Sequence, residues 1–189
     1  GGSCSFDGLQ MIGATGYRKQ GGTRKVTVND QFHLGSCTKA MTGYLLAQLI
    51  DEGRLSFDTP LSEALPGYAR GMLDEYRKVT LRQILSHAAG FPGNMAPAGT
   101  TLLKLHSLKG TPQEQRAEFV RLSLKTPPEA AAGTRYIYSN MGYTILGAVI
   151  EEWRKASWES VAANRLFKPL KMGTAGFGPM GKKGREDQP

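Results

Sequence analysis

Apolar residues recur at helical spacing in two long stretches of the chain. In the first, Met41, Leu45 and Leu49 repeat every four residues with Leu46 and Ile50 beside them, and Gly53 follows as a stop. This pattern predicts a buried helix around which the chain is organised. An apolar run, Phe32 to Leu34, leads into it, and Ser36 stands at the junction with the side chain of a helix cap. In the second stretch, Ile145, Leu146, Val149, Ile150 and Trp153 form one strong apolar face. A loop forced by Pro127, Pro128 and Gly133 delivers Tyr136-Ile137-Tyr138-Ser139-Asn140 to the start of that helix.

Shorter helices are predicted by their punctuation. Asp58-Thr59-Pro60 starts one that ends near Pro66, and Thr80 with Gln83 forms a capping box before Leu81, Ile84 and Leu85, closed by Gly90 and Pro92. Thr111-Pro112 with Glu114 opens another, running to about Lys125, and Ser157 caps a last one through Phe167. The β-prone runs are residues 9–12 and 26–34, separated by the glycine-bearing turn YRKQGGTRK, which predicts a hairpin between them. Residues 93–110 have little period and read as a surface excursion.

A length of 189 residues at 40% hydrophobic is enough for one good core. One domain is expected over residues 1–180, with strands in 1–35, a helical region in 36–173 and a flexible tail at 181–189. There is no internal repeat. The net charge of +8 predicts a weak attraction to anions, but no recognition motif accompanies it, so nucleic acid is not an expected partner. Cys4 and Cys37 make no disulfide framework, and Cys37 reads as a small buried residue. No apolar run is long enough for a membrane span, and the first residues lack the regions of a signal peptide. The compartment stays open: cytoplasmic, or periplasmic or secreted if a leader has been removed.

Two motifs carry candidate chemistry. Ser36-Cys37-Thr38-Lys39 is the one S-x-x-K in the chain, where roughly 0.7 copies arise by chance, so its place at the mouth of a buried helix matters more than its presence. A serine hydroxyl needs an adjacent base, and a lysine serves if its surroundings disfavour the ammonium. Tyr138-Ser139-Asn140 is a Y-x-N, expected by chance in only about 0.15 copies, at a second junction of loop and helix. Tyr138 can shuttle a proton, while Asn140 can accept from Lys39 and donate to a substrate carbonyl. By themselves the same residues also fit a cap, a solvated lysine and a half-buried aromatic.

Several segments together resemble the serine β-lactamase and penicillin-binding family, in its class C β-lactamase and esterase branch. They are FHLGSCTK at 32–39, DEGRL at 51–55, LRQILSH at 81–87 with Gly90, Tyr138-Ser139-Asn140, Gly142-Tyr143, Leu146-Gly147 and LFKPLKMG at 166–173. The resemblance runs in order over residues 8–178. It implies an α+β, β-lactamase/transpeptidase-like fold, with a mainly helical lobe and an incomplete antiparallel sheet. It implies Ser36 as acylated nucleophile, Lys39 as its partner in proton transfer, Tyr138 as the base that activates water and Asn140 as a substrate-binding residue. Half of an oxyanion hole would come from the backbone N–H of Ser36. The implied reaction is acyl transfer through an acyl-serine on a β-lactam, a D-alanyl peptide or an ester, with no cofactor and no metal.

The family's third motif, Lys or His followed by Thr or Ser and Gly on a sheet strand, has no copy in this sequence. Lys182-Lys183-Gly184 lies in a charged, glycine-rich tail. The family's flanking strands and helices are also missing, so the chain is expected to be the middle of a longer protein. An open sheet edge would need a homo-oligomer or a second chain to cover it. The alternative reading is therefore a catalytically impaired fragment or a module that binds an acyl ligand. Gly176 to Gly181 matches G-x-G-x-x-G but follows no strand and reads as a loop, and His87 reads as a residue of a structural turn.

Overall fold

The computed structural model describes residues 1–93 and 96–178. The elements in chain order are strands β1 (Gly2–Ser5) and β2 (Gly8–Ile12), then helices α1 (Thr38–Asp51), α2 (Leu61–Ala64), α3 (Asp74–Arg77) and α4 (Leu81–Leu85). They are followed by α5 (Leu102–His106), α6 (Pro112–Ser123), α7 (Asn140–Arg154) and α8 (Trp158–Ala162). The chain divides into two compact units, one formed by residues 1–35 with the stretch from Met172, the other by Ser36–Lys171.

In the first unit β1 and β2 pair antiparallel, with Gly2 opposite Ile12 and Ser5 opposite Gly8. This is a different hairpin from the expected one. Phe6 and Asp7 make the connection, and Gly8 follows with φ of 116°, a conformation that suits glycine. Residues 26–34 form no strand; near them the chain makes only an isolated bridge between Tyr17 and Lys25. Instead the segment is tied locally, with Asp30 taking both Arg18 and the hydroxyl of Thr27. Every residue of both strands is exposed.

The second unit is built on α7, which packs against α1, α4, α6 and α8. The organising rod is thus α7 rather than α1. Its buried side includes Met141, Ile145, Leu146, Val149 and Ile150, and each large apolar side chain contributes about 1.5–3 kcal/mol by leaving water. Two glycines let neighbours close in. A Cβ at Gly142 would lie 3.1 Å from Ile84 Cγ2, and one at Gly147 would lie 3.2 Å from Arg116 Cδ. From α1, Leu45, Leu46 and Leu49 are fully buried.

The capping boxes at Thr80/Gln83 and Thr111/Glu114 are both formed, and Ser157 accepts from the amide of Ser160. The last helix passes into a π-helical turn, Ala163–Phe167. The expected surface excursion contains the short α5, capped by Thr101. The tail at 181–189 lies outside the described residues, as does the G-x-G-x-x-G run beyond Gly178. No helix among the described residues is long and apolar enough to cross a membrane.

Under α7 lies a largely buried charged group. Arg116 donates to Glu151 at 3.0 Å and to both oxygens of Glu159 at 2.9 and 2.8 Å, while Glu151 also accepts the backbone N–H of Trp158. An arginine stays charged when it is withdrawn from water, and carboxylates placed in this way offset the cost.

Candidate active site

Ser36 does not cap α1. It sits in a 3₁₀ turn, Gly35–Cys37, and Cys37 precedes the helix with no side-chain cap bond. The serine oxygen is therefore left for other donors. Cys37 is exposed, contrary to expectation, because the turn lies ahead of Thr42, where the burial of α1 begins.

One turn on, Lys39 reaches back. Its Nζ donates to Ser36 Oγ at 3.1 Å and to Asn140 Oδ1, on the first turn of α7, at 2.7 Å. The Tyr138 hydroxyl donates to Ser36 Oγ at 2.8 Å, across 102 positions of sequence. All four residues singled out by S-x-x-K and Y-x-N thus stand within one hydrogen-bonded group. Lys39 fixes the amide of Asn140, because an ammonium can bond only to its oxygen. The ammonium also lies 4.7 Å from the centre of the Tyr138 ring and 5.7 Å from that of Tyr143. Tyr143 was not among the expected site residues, although it follows Asn140 by three positions on the same helix face, a spacing that could have indicated it.

Tyr138 is held by two segments that run side by side. Gly90 accepts from Glu129 N, Ala88 from Gly133 N, and His87 from Ile137 N at 2.8 Å. Gly90 is required at this crossing: its φ is 80°, and a Cβ there would lie 2.0 Å from the Ala130 carbonyl oxygen. Ile137 and Ser139 point inward, the Ser139 hydroxyl donating to the Pro92 carbonyl at 2.9 Å, so Tyr136 and Tyr138 face outward by the two-residue alternation of extended chain. His87, at φ of 58°, occupies a turn as expected, and its Nδ1 accepts the amide of Ser139 at 3.1 Å.

The electrostatics suit proton transfer. Lys39 beside the phenol, and then the Ser36 hydroxyl, hold Tyr138 below its ordinary value, against a smaller opposing effect of burial. Burial, and then the Lys39 charge, push the His87 imidazole below its ordinary value, so it stays neutral near pH 7. Tyr143 is shifted up, by burial and then by its tyrosine neighbours. The group therefore offers a hydroxyl, an ammonium and an acidified phenol in contact, with solvent access to Ser36 and Tyr138. Among the described residues no cluster of three or more His, Cys, Asp or Glu could hold a metal ion.

A family model described as Beta-lactamase matches residues 7–188. Penicillin-binding protein 4 of Amycolatopsis lactamdurans is 32% identical over 157 residues, covering 83% of this chain and 39% of that protein. The octameric penicillin-binding protein homologue from Pyrococcus abyssi superposes with a TM-score of 0.68 at 25% identity, over 89% of this chain and 38% of that one. A D-stereospecific amidohydrolase from Streptomyces sp. superposes with a TM-score of 0.64 at 30% identity, over 79% of this chain and 46% of that one. The chain thus spans less than half the length of each of these three relatives. Its fold is the β-lactamase/transpeptidase-like fold that they share.

Proposed function

Because the chain belongs to the beta-lactamase family, we propose that it is a serine acyl hydrolase working through an acyl-enzyme on Ser36. The observation that carries this reading is the convergence on one hydroxyl oxygen, with Lys39 Nζ at 3.1 Å and the Tyr138 hydroxyl at 2.8 Å from Ser36 Oγ. Both groups are within the reach that general base catalysis needs, and such catalysis contributes about 10²–10⁴-fold.

In this reaction Ser36 Oγ attacks a substrate carbonyl carbon while its proton passes to the Tyr138 phenolate, which the Lys39 ammonium stabilises. The new C–O bond leaves negative charge on the carbonyl oxygen, for which the backbone N–H of Ser36 is one donor. Collapse of the tetrahedral species breaks the bond to the leaving group, which takes the proton from Tyr138. Water then gives a proton to the regenerated phenolate and attacks the acyl carbon. Release of the acid returns that proton to Ser36. Asn140, its oxygen held by Lys39, offers its Nδ2 to a substrate carbonyl.

The substrate is an acyl compound with an accessible carbonyl: a β-lactam, a D-alanyl peptide or an ester. A penicillin-binding protein and a D-stereospecific amidohydrolase among the relatives support that range. The octameric relative supports a homo-oligomer, or a second chain, covering the exposed strands β1 and β2, which sedimentation of the chain checks.

Mass spectrometry after treatment with a fluorophosphonate or penicillin is expected to find the adduct on Ser36. Turnover of a chromogenic ester is expected to vanish in Ser36→Ala. Labelling at another residue would remove the mechanism. An adduct on Ser36 without turnover would instead identify the acyl-ligand-binding form.

A further inference from the structure

His87 touches the Tyr138 segment in three ways. Its backbone carbonyl accepts the N–H of Ile137 at 2.8 Å, its Nδ1 accepts the N–H of Ser139 at 3.1 Å, and its ring lies against the Tyr138 ring with centroids 4.5 Å apart. One residue therefore grips the amide on each side of Tyr138 and backs the aromatic ring between them. To do so it adopts a left-handed backbone, which strains a non-glycine residue. That strain persists because three contacts over-determine the conformation.

We propose that His87 is a positioning residue for Tyr138, keeping the phenol on the Ser36 hydroxyl only while its imidazole is neutral. The proposal rests on the role given to Tyr138 above. Nδ1 can accept the Ser139 amide only with its lone pair free. In the imidazolium both ring nitrogens carry protons, so two donors would face each other and the grip would open. The titratable groups facing the ring are Lys39 from α1, Tyr136 and Tyr138 from the same loop, and Tyr143 from α7. Lys39, the cation among them, opposes protonation. Acid therefore disables the site twice, once at the phenolate and once at its support.

The test compares His87→Phe, which keeps a ring but has no acceptor, with His87→Asn, which keeps an acceptor oxygen and tolerates the left-handed backbone. The Tyr138 titration is read from ultraviolet tyrosinate absorbance against Tyr138→Phe. In the native chain and in His87→Asn it is expected below the ordinary tyrosine value, and in His87→Phe it is expected to return to about 10. Ester turnover should fall about 10- to 100-fold in His87→Phe, mainly in kcat, and recover in His87→Asn.

If His87→Phe does not fold, the native chain decides by nuclear magnetic resonance. The Ser139 amide should move with the imidazole as it protonates, and an amide that ignores that titration overturns the proposal. So does a Tyr138 titration unchanged in His87→Phe, or an Asn variant no better than the Phe variant. Because the tyrosine titration needs no turnover, failure to label Ser36 would remove the hydrolase reading and leave the grip standing.

Discussion

Replacing Ser139 by alanine removes a hydroxyl that does one thing in this fold. It lies between the two residues Tyr138 and Asn140, is 3% exposed, and donates to the Pro92 carbonyl at 2.9 Å. The alanine leaves that carbonyl in the interior without the hydroxyl, and an unsatisfied buried acceptor costs about 1–3 kcal/mol. The backbone bonds of the same crossing remain, so the loss stays in that range. Thr144→Ala is the control. Its hydroxyl also donates to a carbonyl, that of Asn140 at 3.1 Å, but from a partly exposed position on a helix, where such back-bonding adds little. Urea unfolding followed by the fluorescence of Trp153 and Trp158 reads the helical unit. Ser139→Ala should lower stability by about 2 kcal/mol with an unchanged urea slope, and Thr144→Ala by less than about 0.5 kcal/mol. Labelling of Ser36 should slow in the first variant and not in the second. Equal losses in the two variants would refute the claim that the Pro92 contact anchors the site.

Gly90→Ala should cost well above about 3 kcal/mol or prevent soluble expression, since its Cβ meets the Ala130 carbonyl oxygen at 2.0 Å, whereas Gly67→Ala, with nothing within 4 Å, should lie within about 0.5 kcal/mol of the parent. Arg116→Met strands the buried Glu151 carboxylate and should cost about 3–5 kcal/mol in urea unfolding, with much of the loss recovered when Glu151→Gln is added. The His87 imidazole lies below its ordinary value in the folded chain, so its contribution is full above about pH 6.5 and is lost as pH falls through the folded value. Stability measured from pH 7 to 5 should therefore fall, and fall less in His87→Asn. Tyr138, shifted down by Lys39 and Ser36, should place the rising limb of the pH profile of kcat/KM below about 10, and Lys39→Gln should move that limb up.

What the sequence made legible was local. The boxes at Thr80/Gln83 and Thr111/Glu114 close within four residues, so their chemistry is complete in the text of the chain. The apolar face of α7 was equally readable, because burial follows helical period. The hairpin was misplaced because β-prone composition in residues 26–34 does not supply a partner. The strands formed where a two-residue connection before Gly8 let two short runs pair. Capping is the local use of a serine and one reading of Ser36, but here Lys39, three residues on, and the distant Tyr138 donate to its oxygen instead. The meeting of Ser36 with Tyr138 depends on the crossing of residues 87–93 with 129–139, which no spacing encodes; the complementary chemistry of the two motifs and the family resemblance pointed to it.

The same reasoning explains why His87 read as a mere turn. Ser-His-Ala-Ala-Gly ends a helix, and nothing in those five letters shows that the imidazole will find an amide 52 positions away. Yet that amide belongs to the residue between the phenol and the carboxamide of the site. A turn that must be left-handed at a histidine, followed by a glycine with φ of 80° against a carbonyl, is a costly way to end a helix of five residues. The cost is balanced only by what the crossing segment gains, which is a fixed extended geometry for residues 137–139. Termination of α4 and placement of Tyr138 are therefore one structural event. Substitutions that remove the acceptor at position 87 should loosen the phenol before they unfold the helices.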